Sequence, residues 1–142
     1  MTQEDKELLL LDLSARLPYG VYCQGITKEY NEDQDAYIDK EITNTLLEVH
    51  HYKCSYGLVG LMNECNIETI KPYLRPMSSM TEEEEIEYDA TFATIIIGDG
   101  HYDSTMTYKS FDFLNAHHFD YRGLIEKGLA IAVTEENNPY KE

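Results

Sequence analysis

Two histidines, an aspartate and an arginine fall within nine residues in NAHHFDYRG, 115–123. His117, His118, Asp120 and Arg122 are side-chain types that move protons, bind metals or hold anions. A second group, GDGHYD at 98–103, places Asp99, His101 and Asp103 at alternating positions where a strand-like run ends, a common setting for functional groups. His101, Asp103, His117 and Asp120 are the residues from which a metal-dependent hydrolase would be assembled, with His51 as a further ligand. Arg122 completes the set of candidate binding residues. Such a site requires at least three of these groups within about 5 Å of one another, in a pocket.

The spacing of these residues points to architecture rather than chemistry. Adjacent histidines, as at 50–51 and 117–118, point to opposite faces of a strand or diverge by about 100° on a helix, so neither pair chelates one ion. The useful H-x-H and H-x3-H spacings are absent. In NEDQDAYIDKEI, 31–42, Asn31, Asp33 and Asp35 alternate as calcium ligands do. The sixth and twelfth positions, however, are Ala36 and Ile42, where an EF-hand loop needs Gly and Glu. No phosphate-loop, nucleophile-elbow or H-E-x-x-H motif occurs. No cofactor is implied, no metal ligand set is encoded, and a non-catalytic role is expected ahead of an enzymatic one.

At 142 residues and 42% hydrophobic content, the chain suits one domain with one core, ending in a polar tail at 135–142. The formal net charge of −16 disfavours contact with a phosphate backbone and favours a protein partner with a basic surface. Eight carboxylates lie between Glu82 and Asp103, while residues 76–108 contain no Lys or Arg. Three cysteines without C-x-x-C spacing encode neither a disulfide framework nor a zinc ribbon. No run approaches the roughly 20 apolar residues of a membrane helix, and the acidic N-terminus lacks signal-peptide features, so a cytoplasmic protein is expected. Tyr73, Tyr88, Tyr102, Tyr108 and Tyr121 sit near loops or element ends, placed either to anchor an interface or to seal the rim of a small core.

The elements that must position these groups read as α+β: a single domain, mostly antiparallel sheet, packed with three to four short helices. A helix capped by Thr2 and Asp5 carries Leu10, Leu13 and Leu17 on one stripe with Leu9 alongside, and Pro18 and Gly20 stop it. Because four consecutive leucines cannot share one side, burial on more than one face is expected. Strands follow at GVYCQGIT, NTLLEVHHYKC and YGLVGLMNE, with an acidic loop KEYNEDQDAYIDKE after the first. Thr81 and Glu84 form a capping box for a second helix, and TFATIIIG is a strand ending at the GDG turn. MTYKS continues as a strand. Ser110 caps a third helix reaching His117 or His118, where a protonated His118 would suit the negative helix end. Asp120 caps a fourth helix ending at Gly128, and LAIAV is a short buried strand.

Three blocks, SARLPYGV (14–21), IKPYLRPMSSMTEEEE (70–85) and SFDFLNAHHFDYRGLIEKGLA (110–130), resemble a family of small proteins carried by gut anaerobic bacteria and their phages or mobile elements. The resemblance implies accessory or interaction cargo and carries over no catalytic residue. The expected function is therefore a small acidic accessory or protein-interaction domain. One specific form is a mimic of nucleic-acid charge, which needs the acids of 29–41 and 82–103 on one surface.

Overall fold

The computed structural model describes residues 1–49, 53–58 and 61–141. Helix α1, Gln3–Arg16, starts as expected. The Thr2 hydroxyl accepts from the Asp5 amide at 3.1 Å, and the Thr2 amide donates back to the Asp5 carboxylate. Its buried face is Leu9, Asp12, Leu13 and Arg16, while Leu11 is 58% exposed. One i, i+3, i+4, i+7 stripe thus goes inward, shifted from the expected leucine set and half made of charges. Leu8, Leu10 and Leu17 pack at its margin.

The chain then forms β1 (Tyr22–Asn31), β2 (Ala36–Val49), β3 (Lys53–Leu58), β4 (Leu61–Asn66) and β5 (Lys71–Leu74). The acidic segment expected as a loop is mostly strand: β1 and β2 pair in continuous register from Tyr22–Thr45 to Asn31–Ala36, leaving a four-residue turn. Alternation aims Val21, Cys23, Gly25 and Thr27 inward. After them come α2 (Glu82–Asp89), β6 (Ala93–Gly98), β7 (His101–Thr105), α3 (Tyr108–Ala116) and β8 (Ile131–Ala132). The main sheet runs β4-β3-β2-β1-β5-β8, antiparallel except for the parallel β5–β8 pair. Helix α1 meets Val21, Cys23, Ile42, Leu46, Ile70 and Leu74 of this sheet layer in the core.

The protein is a single α+β domain, with three α-helices among the described residues. The fourth helix expected between Asp120 and Gly128 is a series of turns, closed by bonds such as Leu129 N–H to Leu124 O at 2.9 Å. MTYKS is not a strand, because β7 ends at Thr105 and Tyr108 already opens α3. The terminal segment also differs from a free polar tail. Tyr140 is packed edge-on to Tyr22, accepts a bond from the Tyr22 amide and donates to the Tyr73 carbonyl at 2.7 Å. β6 and β7 form a separate two-stranded sheet around the Gly98–Gly100 turn, with both glycines and Asp99 at positive φ. Among the described residues, no helix is long and apolar enough to cross a membrane.

Candidate functional site

The NAHHFDYRG segment is a tightly bonded corner. Helix α3 is capped by Thr107, whose amide donates to Ser110 Oγ at 3.0 Å, so Ser110 sits inside the first turn rather than at the cap. The helix ends when His118 enters the left-handed region at φ 62, and the Phe119 amide closes back on Leu114 O at 2.9 Å. The chain then runs beside Arg75: the Arg75 amide donates to His118 O at 2.7 Å, and the Asp120 amide donates to Arg75 O at 2.8 Å. The Asp120 carboxylate accepts from the amides of Leu124 and Ile125, both at 2.9 Å. It caps a turn rather than the expected helix.

Beneath this corner lies a buried ionic group that no motif announced. Asp12 and Arg16, one helical turn apart on α1, are both 0% exposed. Arg16 Nε donates to Asp12 Oδ2 at 2.8 Å and its Nη2 to the Phe119 carbonyl at 2.6 Å. Arg122 Nη1 donates to the other Asp12 oxygen at 2.9 Å. Tyr121 lies under both guanidiniums, 5.2 Å from Arg16 and 4.6 Å from Arg122 at its ring centroid. A carboxylate taking one arginine on each oxygen keeps a buried charge satisfied, where a lone one would cost several kcal/mol. The Asp12–Arg16 spacing was the available sequence signal.

A second ionic clasp fixes α2 to the same corner. Glu84 receives both terminal nitrogens of Arg75 at 2.7 Å, the Thr81 amide at 3.0 Å, and lies 3.3 Å from His117 Nδ1. The arginine pairing, with further help from Thr81, holds the Glu84 carboxyl down at about 2. Arg75 also covers the Phe119 ring at 4.2 Å. His118 is the reverse of the expected helix-end cation. Burial first, then the nearby positive charges of Arg16, His117 and Arg75, push its pKa down to about 4, and it stacks on Tyr140 at 3.8 Å. It is neutral at pH 7. Arg16 Nη1 and His118 Nδ1 are buried without a hydrogen-bond partner.

The five candidate binding residues therefore divide. His117, Asp120 and Arg122 belong to the corner, where each holds a structural partner. His101 and Asp103 lie exposed on β7 in the arm, Asp103 accepting only from the neighbouring Ser104 amide among the described bonds. Among the described residues, no three His, Cys, Asp or Glu side chains are grouped so as to hold a metal. His50 and His51 lie outside the described residues. The tyrosines divide as well: Tyr73 is buried at the core, Tyr121 lies in the corner, and Tyr102 and Tyr108 are 67% and 73% exposed.

Surface character is concentrated elsewhere. α2 buries no residue and exposes Glu82, Glu83, Glu85, Glu87 and Asp89, together with Ile86 at 71%. Beside it, Met77, Met80, Tyr88, Glu85 and Asp89 line an open groove of about 360 Å³. Two acids of the β1–β2 hairpin differ, because Asp39 pairs with Lys28 at 2.5 Å and Glu29 with Lys40 at 3.2 Å. The fold and site thus define an α+β domain with a polar corner, an acidic helix and a projecting arm. Comparison with protein-family models, curated proteins and solved structures finds no match to this chain.

Proposed function

We propose that this protein is a non-catalytic, acidic interaction domain that docks a basic protein segment along α2 and the adjoining methionine groove. One observation carries the reading: α2 buries nothing, yet presents five exposed carboxylates beside Ile86, Met77 and Met80, in a stretch without Lys or Arg. The inward side of α2 is narrow, Glu84 held by Arg75 and Tyr88 stacked on Phe113, so most of the helix faces solvent and is available to a partner. The methionines offer an adaptable apolar floor, and the carboxylates steer a positively charged partner and set its orientation. The partner chemistry is an amphipathic segment with Lys or Arg flanking apolar anchors. Nucleic acid is the wrong ligand, since its phosphates would meet like charge. The setting we assign is the cytoplasm, with the protein as accessory cargo of a mobile element. Glu29 and Asp39 of β1–β2, being paired with lysines, contribute less to any phosphate-like array than the acids of α2.

The test uses a synthetic amphipathic Lys/Leu peptide as probe, followed by fluorescence anisotropy. Binding should weaken as salt rises, since exposed charges are screened beyond about 8 Å at physiological ionic strength. Replacing Glu85, Glu87 and Asp89 together by Lys should weaken it by more than about tenfold through like-charge juxtaposition. Binding unaffected by the triple replacement, or insensitive to salt, overturns the reading.

A further inference from the structure

The second surface anomaly is the β6–β7 arm. Every residue of both strands is exposed, including Ile95 at 47%, Ile96 at 72%, Ile97 at 64% and Tyr102 at 67%. A two-stranded sheet with neither face packed is marginal alone and gains stability from further strands. Among the described residues each strand has one unpaired edge, and the two edges differ. β6 reads ATIIIG, with no charge and no proline. The devices by which proteins usually block edge pairing are missing from it. β7 carries His101 and Asp103. The exposed end of the β1–β2 hairpin is a useful contrast, because it is studded with Lys28, Glu29, Asp39 and Lys40.

We propose that β6 pairs antiparallel with β6 of a second copy of this chain, giving a four-stranded sheet in the order β7-β6-β6-β7 about a twofold axis. An uncharged strand meets itself without opposing charges, and a twofold contact uses the same surface on both copies. Growth stops at two chains because the outer edges are then β7, with its aspartate. The register between β6 and β7 shifts between Ile96 and Gly98. Regular pairing is thereby confined to Ala93–Ile96, while Ile97 is left available to pack against the partner. Edge pairing engages the free backbone edge of Ala93–Ile96 rather than the sheet faces, so the contact is small and rests on the backbone ladder together with Ile97. Each copy carries −16, but none of that charge is on β6. Salt therefore tightens this dimer, the opposite of its effect on a basic partner at α2.

Sedimentation of the full chain at micromolar concentrations, in about 0.05 M and about 0.5 M salt, tests this across Debye lengths on either side of 10 Å. The expected result is a dimer whose dissociation constant falls several-fold at the higher salt. Ile96→Asp and, separately, Ile95→Asp place like charges near the axis and should weaken it by more than about tenfold. Both sites are exposed, and an unchanged near-ultraviolet circular dichroism spectrum verifies the fold. Ile86→Asp on α2 adds the same charge at an equally exposed site and should leave the dimer within about twofold of the original. A wild-type monomer in both salts, a dimer as tight in the two arm variants, or assembly beyond two chains overturns the proposal.

Discussion

In the corner, Asp12 and Arg16 are fully enclosed, and Asp120 is buried with both carboxylate oxygens bonded to backbone amides. In the arm, three consecutive isoleucines stand in solvent. The first region places charges inside a domain, and the second places apolar side chains outside it. What separates them is that the buried carboxylates of the corner have partners on both oxygens. Each corner carboxylate accepts bonds on both of its oxygens, so its burial is offset by directed bonds. The arm residues have no such closure within one chain. A charged residue can therefore be architectural and an isoleucine functional, and only the count of partners distinguishes the two roles.

The largest effect is expected from breaking the corner's central carboxylate. Asp12→Ala leaves Arg16 enclosed and deprives Arg122 of its acceptor, so urea unfolding should show a loss of about 3–5 kcal/mol. Replacing the buried pair together, Asp12→Leu with Arg16→Met, should cost less than Asp12→Ala alone, because no uncompensated charge remains. If Asp12→Ala is as mild as a surface substitution, the partnership argument fails for this region.

Acid titration probes the same region at intermediate size. The folded pKa of Glu84 is held at about 2, below its ordinary 4.5, so its contribution is complete above 4.5 and lost as pH falls toward 2. His118 is also depressed, from 6.5 to about 4, so the stability it confers as a neutral ring is complete above 6.5 and lost as pH falls through 4. Thermal melts should thus decline in two windows, first between pH 6.5 and 4 and then between 4.5 and 2. His118→Asn should flatten the first window and Glu84→Gln the second. The Glu84 window should be worth about 2 kcal/mol once partial screening is allowed for. A melt curve in which His118→Asn leaves the upper window unchanged would place the titration elsewhere.

Asp120→Ala should cost about 1 kcal/mol, the scale of a lost cap, since it leaves the amides of Leu124 and Ile125 without their acceptor. Hydrogen exchange at those two amides should accelerate together. This is also where the sequence was most legible. The backbone-capping role of Asp120 follows from its residue type, and the capping boxes at Thr2 and Thr81 follow from their three-residue spacing to an acid. The antiparallel α+β class likewise follows from strand-like runs broken by turn signals. The fourth helix was not legible as turns, because the Arg75 backbone, distant in sequence, fixes the chain at His118, Phe119 and Asp120. The position of His118 suits a helix-end cation, but burial, with Tyr140 from 22 positions away stacked on the ring, keeps it neutral. The Asp12–Arg16–Arg122 group spans α1 and the corner, so only the fold could reveal its third member.

The smallest expected effect is the most discriminating between the regions. Ile96→Thr keeps the β-branched shape and removes apolar surface from a position that is 72% exposed. At high dilution, where the chain is monomeric, its unfolding free energy should stay within about 0.5 kcal/mol of the original. At higher protein concentration the original chain gains stability by mass action, because dimerisation favours the folded form, and the variant should lag behind. The gap between the two proteins should therefore open with concentration. For Asp12→Ala the loss should instead be present at every concentration, since the bonds it breaks lie within one copy. A concentration-independent gap for Ile96→Thr would mean that the arm is stabilised within its own chain, and the contrast between corner and arm would then be one of exposure alone.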